Sequence, residues 1–241
     1  LIDFPMFLIY SIHAADSHAL GKVDKLSMSQ RTLMELFIAG IENKHVITCD
    51  YDDTTDIVEW KMITMTKAGE VTCIRWFWSS LRGSIHLEWL PLTVWNLEIW
   101  GNNLYGTLNF EQLPSILTQL KAGDNAFTGT LVLTCLPEGL ELIAVPRNQL
   151  SGILNLECLP QSMKHMDVVN NRFSGPICLT KLPSNLKELF LAQNDLCGET
   201  DFSRLPPSLI NFDVENTKLS GVIDITEGKN FRVGKSRIMI L

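Results

Sequence analysis

A phrase of 23 residues returns along most of this 241-residue chain without a single insertion. Its first residue recurs at constant spacing, at Leu81, Leu104, Phe127, Leu150, Phe173, Leu196 and Leu219. Glycine holds the third position of each copy, and a Leu-Pro pair holds the tenth and eleventh positions in six of them. Such a fixed period predicts a solenoid, because one unit cannot bury its own apolar face and must stack on its neighbours.

Each repeat contains a short predicted strand. Positions 17 and 19 are apolar, as in Leu97/Ile99 and Met166/Val168, and a period of two places both side chains on the inward face. Position 22, just after the strand, is asparagine in five repeats: Asn102, Asn125, Asn148, Asn171 and Asn194. Because an amide both donates and accepts, we expect these side chains to form a ladder that satisfies the neighbouring turns.

The stretch "LKELFLAQNDL" at 186–196 resembles the leucine-rich-repeat signature. Segments such as "SGPICLTKLP" at 174–183 resemble the long repeat form of extracellular plant-type proteins and of expanded families in single-celled eukaryotes. The resemblance covers residues 71–226 and implies an α/β solenoid. The implied shape is a right-handed horseshoe with a concave parallel β-sheet, a convex side of irregular segments and short strands, and an N-terminal helical cap. Its usual role would be protein recognition.

The flanks of the repeats divide into three further segments. Residues 1–20 are either a signal remnant or an N-terminal arm, and residues 21–70 are a predicted cap with a helix. Leu33, Phe37 and Ile41 recur at helical spacing, with Ser27 or Ser29 as the N-cap. After the solenoid at 71–226, residues 227–241 form a C-terminal cap or a truncated last repeat, because the Leu-Pro pair is lost there.

Composition and charge exclude some classes of function and leave the compartment open. The net charge of −7 argues against a nucleic-acid partner, and no apolar run reaches the roughly 18 residues of a transmembrane span. The apolar run at 4–10, followed by small residues at 17–19, fits a secreted or cell-surface protein if it is a signal remnant. If it is not, the protein is expected to be cytoplasmic. No Asn-x-Ser/Thr acceptor occurs, which disfavours a glycosylated protein.

Binding is expected on the concave face, where positions 16, 18 and 20 of each repeat point outward. The candidate partner-binding residues there are Arg75, Phe77, Asn96, Glu98, Trp100, Lys121, His165, Asp167, Glu188, Phe190 and Asp213. Phe77 and Trp100 are predicted neighbours and resemble an interface hot spot, unless the N-terminal arm or cap covers them. The acidic residues either steer a basic partner or form an ordinary solvated face.

These patterns predict a non-catalytic module that binds a protein or peptide, with no cofactor. The alternative is a structural or adhesive surface protein that self-associates. Enzyme and metal motifs are weak, since the carboxylate-rich stretch at 49–56 lacks the glycine of a calcium loop and His13 and His18 have no third ligand nearby. The pairs Cys49/Cys73 and Cys135/Cys158 are either disulfides or free thiols.

Overall fold

A computed structural model describes residues 25–49, 55–225 and 227–241. Within these residues the chain winds through about eight turns of a parallel-strand solenoid. Each turn adds one strand to a nine-stranded sheet, here called the front sheet, and one strand to an eight-stranded sheet, here called the back sheet. The stretch at 1–20, with His13 and His18, lies outside the described residues, as does most of the carboxylate-rich stretch at 49–56.

The strands of both sheets are short, as expected for coils of this length. The front sheet consists of Ile63–Met65, Val71–Arg75, Asn96–Glu98, Gln119–Lys121, Leu142–Ala144, His165–Asp167, Glu188–Phe190, Asn211–Asp213 and Asn230–Arg232. The back sheet consists of Arg82–Ser84, Asn103–Thr107, Ala126–Gly129, Gln149–Gly152, Arg172–Gly175, Asp195–Glu199, Lys218–Ile223 and Arg237–Ile240. Ile63–Met65 pairs antiparallel with its neighbour, and the other pairings are parallel.

Successive coils stack in register, so residues one period apart become neighbours. Leu120 pairs with Ile143, and Ile143 pairs with Met166. All three side chains are buried in one continuous core, as predicted from the apolar positions 17 and 19. The burial of a whole row of Leu, Ile, Val and Phe side chains stabilises each coil only because the next coil covers it.

The recurrent glycine lies within the back-sheet strand of each coil, and its φ is positive in all seven repeats. At Gly152 φ is 89°, and a Cβ would approach Thr130 Cγ2 of the preceding coil to 2.7 Å. Glycine is therefore favoured twice, by backbone conformation and by close approach. Short 3₁₀ helices precede the Leu-Pro pair in three coils, at Leu87–Trp89, Leu133–Cys135 and Leu156–Cys158.

A helix at Gln30–Phe37 packs on the first coil. Ser29 is its N-cap, since the Ser29 side chain accepts a hydrogen bond from the Thr32 N–H at 3.1 Å. The helix ends at Phe37. Three residues later Gly40 lies against the first coil, where a Cβ would be 2.1 Å from Ser84 Oγ. The rest of this region comprises 3₁₀ helices at Lys25–Ser27 and Ile57–Glu59 and a helical turn at His45–Thr48.

The last coil is shorter than the others. Phe212 pairs with Phe231, 19 positions later, whereas the other front-sheet partners in parallel strands lie 23 apart. The missing residues are those of the Leu-Pro segment. The coil still closes on itself, because Arg237–Ile240 pairs with Lys218–Ile223 on the back sheet. Among the described residues, no helix has the length and apolar character that a membrane crossing requires.

Candidate functional site

The outward face of the front sheet carries the residues that the sequence singles out. Side chains alternate along each strand, so the neighbours of the buried positions 17 and 19 point away from the core. Register then aligns one residue from each coil in rows across the sheet. The row at position 18 runs Arg75, Glu98, Lys121, Ala144, Asp167, Phe190, Asp213 and, in the short last coil, Arg232.

An aromatic cluster lies on this face at its N-terminal end, in the first two coils. The rings of Phe77 and Trp100, which are 23 residues apart, stack at a centroid distance of 5.4 Å with an interplanar angle of 15°. Trp78 meets Trp100 edge-on, also at 5.4 Å, and is 65% exposed. Both Phe77 and Trp100 are half-buried. Rings arranged in this way hold one another in place while leaving apolar surface in contact with solvent.

The sequence predicts Trp78 near the strand edge beside Phe77 and Trp100, although Trp78 is not among the candidate partner-binding residues. It has a positive φ of 49°, a conformation that is rare for a bulky residue, and its indole lies over Gly101, where a Cβ would be 2.6 Å from the ring. Position 21, just before the ladder asparagine, has positive φ in the following coils too, at Asp124, Arg147 and Asn170. The signal in the sequence was a tryptophan at a position that holds Gly101 in the next repeat and polar residues in all the later ones.

A hollow of about 170 Å³ adjoins Trp100. It is lined by Trp100, Lys121, Gly123, Asp124, Ala144 and Pro146. Its charged residues are already paired, because Lys121 Nζ lies 3.2 Å from Glu98 Oε1 and Arg147 Nη1 lies 3.2 Å from Asp124 Oδ1. The hollow was not predicted, since it depends on small residues in neighbouring coils rather than on a motif.

Asn96 was predicted to be displayed on this face, and that prediction is wrong. The residue is only 3% exposed, although its strand position does point outward. Its amide donates to Cys73 Sγ at 3.3 Å and to Glu98 Oε1 at 3.1 Å, so the side chain lies along the sheet instead of projecting from it. Cys73 is also buried, and burial raises the pKa of its thiol.

The other end of the face is polar and largely bonded to itself. His165 Nδ1 lies 2.5 Å from Glu188 Oε2, and Asn211 Nδ2 donates to Glu188 Oε1 at 2.8 Å. His165 also meets the Phe190 ring edge-on, with centroids 5.6 Å apart. Each side chain in this chain of contacts is one coil from the next, so the same stacking that aligns the core aligns the polar groups.

Asp167 and Asp213 lie deeper than the sequence suggested. Burial raises the pKa of the Asp167 carboxyl, although its hydrogen bond from the Val169 N–H at 2.9 Å acts in the opposite direction. Asp213 is buried and is not a displayed residue as predicted, because Arg232 Nη1 lies 3.4 Å from its Oδ2. Arg232 also contacts Glu215 at 2.9 Å. Arg232 escaped prediction because the short last coil breaks the 23-residue spacing.

The five ladder asparagines lie behind this face and support its geometry. Asn148 Oδ1 accepts from the Phe127 N–H at 3.0 Å, while Nδ2 donates to the carbonyls of Ala122 at 3.0 Å and Val145 at 3.2 Å. Asn125, Asn171 and Asn194 repeat this pattern, and Asn102 makes it with the first coil. The side chains thus bond the backbone of one coil to the next.

A larger cleft, of about 860 Å³, lies at the last coil, away from the predicted residues. It lies beside the coil that lacks the Leu-Pro segment, and Phe202, Leu205 and Pro206 of the coil before are among its lining residues. Its cation is engaged, since Lys229 Nζ donates to the carbonyls of Pro207 and Leu209, both at 2.5 Å. We therefore do not place the candidate site there.

The described part of the chain has free thiols and no cluster of potential metal ligands. No group of three or more His, Cys, Asp or Glu residues there could hold a metal ion. The six cysteines are free thiols in this structure, including the pairs Cys49/Cys73 and Cys135/Cys158. Cys135 and Cys158 lie on consecutive 3₁₀ helices that contact each other, so both are exposed on the same side of the solenoid.

Comparison with family models and with the curated proteins gives no match. Solved structures do match. The ectodomain of the Arabidopsis receptor kinase HAESA, in complex with an N-terminally extended IDA peptide hormone ligand, aligns with a TM-score of 0.65 at 20% identity. That alignment covers 88% of this chain but 41% of the HAESA chain, so this chain spans about two fifths of that ectodomain.

Two shorter proteins match over most of both chains. Pollen Receptor Kinase 3 has a TM-score of 0.57 at 20% identity, with 87% of this chain and 95% of the other covered. A plant ice-binding protein has a TM-score of 0.53 at 17% identity, with 87% and 86% covered. At these identities the likeness concerns the fold alone. The chain has the solenoid fold of the leucine-rich-repeat ectodomains.

Proposed function

We propose that this protein is a non-catalytic binding module that holds a protein or peptide against the outward face of its front sheet. The observation that carries the proposal is the stacked pair Phe77 and Trp100, with Trp78 beside it, at the surface of the front sheet. Tryptophan and other large side chains dominate interface energetics when a partner desolvates them. The matching HAESA ectodomain, which holds a peptide hormone, supports this class of ligand.

The proposal includes the shape implied by the resemblance to plant-type repeats. In it the front sheet is the concave side of a right-handed horseshoe, and the helix Gln30–Phe37 caps the core. With strands about 4.8 Å apart, eight parallel coils offer a face on the order of 30 Å long, enough for an extended peptide or one face of a small domain. A secreted or cell-surface location belongs to the same proposal.

Capture of a partner by the full chain tests this function. Changing Phe77→Ala and Trp100→Ala together should weaken the Kd of the captured partner at least about 30-fold, because hot-spot truncations cost 2 kcal/mol or more. The matched control is Ile153→Ala, which removes a 66% exposed apolar side chain directly after the back-sheet strand Gln149–Gly152. A partner that binds the double variant and the wild type equally would place the binding site elsewhere.

Self-association is the second candidate function, and exposed apolar residues on the last strands favour it. Met239 and Ile240 are both more than half exposed on the back-sheet strand Arg237–Ile240. An exposed strand with apolar side chains can pair with a second copy. Light scattering across a range of concentrations separates the two functions, since a monomer at high concentration counts against self-assembly.

A further inference from the structure

We infer that the hollow beside Trp100 receives one aromatic side chain of an extended peptide, and that the peptide carries an acidic residue next to that side chain. The inference rests on the proposed function and makes its ligand specific. It assigns a separate task to each part of the site: the ring cluster supplies apolar surface, the hollow supplies an anchor point, and the surrounding cations select the charge.

The hollow exists because, in two neighbouring rows of the face, a small residue lies one coil after a large one. In the row at position 18, Ala144 lies between Lys121 and Asp167, and in the row at position 20 Gly123 lies between Trp100 and Pro146. Gly123 cannot be larger, since a Cβ there would be 2.7 Å from Pro146 Cδ. The depression is therefore a fixed feature of the packing, with Trp100 and Pro146 as opposite walls.

Its size indicates a single side chain as the occupant. The volume of about 170 Å³ is well below the roughly 300–1,000 Å³ of a site for a drug-sized molecule. An aromatic ring suits the walls, because Trp100 is held by Phe77 on its face and by Trp78 at its edge. Another ring can then add to this cluster without reorganising it, and aromatic pairs gain more than their buried area alone provides.

The charges around the hollow select an acidic neighbour for that ring. In both ion pairs the cation is more accessible than its partner: 33% against 14% for Lys121 and Glu98, and 66% against 31% for Arg147 and Asp124. Arg75, at the start of the same row, is exposed. A peptide carboxylate can reach these cations while the protein acids stay in place. Towards Asp167 and Glu188 the face turns acidic, so the peptide's acidic residue belongs on the Arg75 side.

Peptide selection with variants of the hollow tests the inference. A library of random 12-residue peptides is selected on the immobilised full chain, and the enriched peptides are synthesised and titrated. We expect enrichment of an aromatic residue with Asp or Glu beside it. Ala144→Leu, which fills the hollow, should weaken the Kd of these peptides at least about tenfold. Ala144→Ser keeps the hollow and should leave the Kd within about twofold, as should Val169→Leu, which adds bulk one coil farther on.

The outcomes separate this inference from the proposed function. Peptides that bind Ala144→Leu as tightly as wild type, yet lose affinity on Phe77→Ala, would overturn the hollow and keep the binding face. Peptides that respond to neither substitution, or a selection without any binder, would overturn both. Circular dichroism melting of each variant shows that it is folded, and if Ala144→Leu does not fold, Ala144→Val serves as the filling variant under the same criterion.

Discussion

The front face has two unlike halves on one scaffold. The aromatic half, around Phe77 and Trp100, leaves ring surface and a hollow open to a partner. The acidic half, around His165 and Glu188, bonds its polar groups to one another from coil to coil. Strand spacing, register and the asparagine ladder are the same in both. The difference teaches that the buried positions determine the scaffold, while the outward positions are free to vary, and the proposed binding function depends on those outward positions.

The largest expected effect is a loss of stability when the asparagine ladder, which the two halves share, is interrupted. Asn148→Ala removes a side chain that bonds the Phe127 N–H and the Ala122 and Val145 carbonyls, all buried. We expect the free energy of unfolding to fall by about 3–5 kcal/mol, because each unsatisfied buried group costs about 1–3 kcal/mol. Urea denaturation measures it. Asn194→Ala, in the acidic half, should lose a similar amount.

The exposed neighbour Gln149 provides the control for the ladder prediction. Its side chain accepts only a surface hydrogen bond from Arg172 among the contacts described, so Gln149→Ala should cost less than about 1 kcal/mol. Equal losses for Asn148→Ala and Gln149→Ala would show that the ladder does not support the scaffold. A large difference in stability loss between Asn148→Ala and Asn194→Ala would show that the asparagine ladder does not stabilise the two halves equally.

The next effect separates the halves by their contribution to binding. His165→Ala with Glu188→Ala should change the Kd of a partner captured on this face by less than about fivefold, since a partly exposed contact between two polar side chains contributes little. Phe77→Ala with Trp100→Ala should cost at least about 30-fold on the same partner. Calorimetric titration compares the two double variants. A reversed order would make the acidic half the recognition surface and the rings its support.

A smaller effect is expected where the ladder ends. Thr217 occupies the ladder position of the repeat from Leu196 and makes one of the expected bonds, from Oγ1 to the Val214 carbonyl at 2.8 Å. Thr217→Asn can add the contacts that asparagine makes in the earlier coils. We expect a gain of about 1 kcal/mol in the free energy of unfolding, measured by urea denaturation. A loss of stability would mean that the short last coil has changed the geometry of the turn.

The smallest effect is a pH dependence in the acidic half. Since burial raises the pKa of Asp167, the folded state binds this proton more readily than the unfolded state. The stability contributed by Asp167 is therefore greatest below the ordinary aspartate pKa and declines as pH rises through the folded pKa. Asp167→Asn retains an acceptor for the Val169 N–H, so it should be slightly more stable than wild type at pH 7.

Thermal melting at several pH values checks the sign of this effect. The gap between Asp167→Asn and the wild type should narrow as pH falls towards 3. Phe190→Leu, on the same row, changes no titrating group and should show no such convergence. A gap that widens at low pH would mean that the Asp167 carboxylate is stabilised in the folded protein.

Sequence reasoning predicts the fold well because the repeat is strict. Leu120, Ile143 and Met166 recur at one spacing, and that spacing alone places them in a shared interior. The positive φ of the recurrent glycine is what glycine at a fixed position favours, and Ser29 is one of the two N-caps that the sequence offers. Position in the repeat predicts whether a side chain leaves the backbone towards the core or away from it, and so it also predicts which residues lie on the front face.

Sequence reasoning predicts the site less well because contacts between side chains decide it. The spacing places Asn96 on the outward side, but its hydrogen bonds to Cys73 and Glu98 lay it along the sheet. Arg232 reaches Asp213 because the last coil is shorter, which the period does not predict. The hollow requires small residues in two rows at once, and its shape emerges only when the coils are stacked.

The most direct measurement is a double-mutant cycle on Phe77 and Trp100, using the Kd of a partner captured by the full chain. If rings 23 residues apart stack and bind as one surface, the two alanine substitutions will be non-additive by about 0.5–1.5 kcal/mol, and each will weaken binding. Losses that add within about 0.3 kcal/mol, or no loss at all, would contradict the account of the aromatic half as a single binding surface.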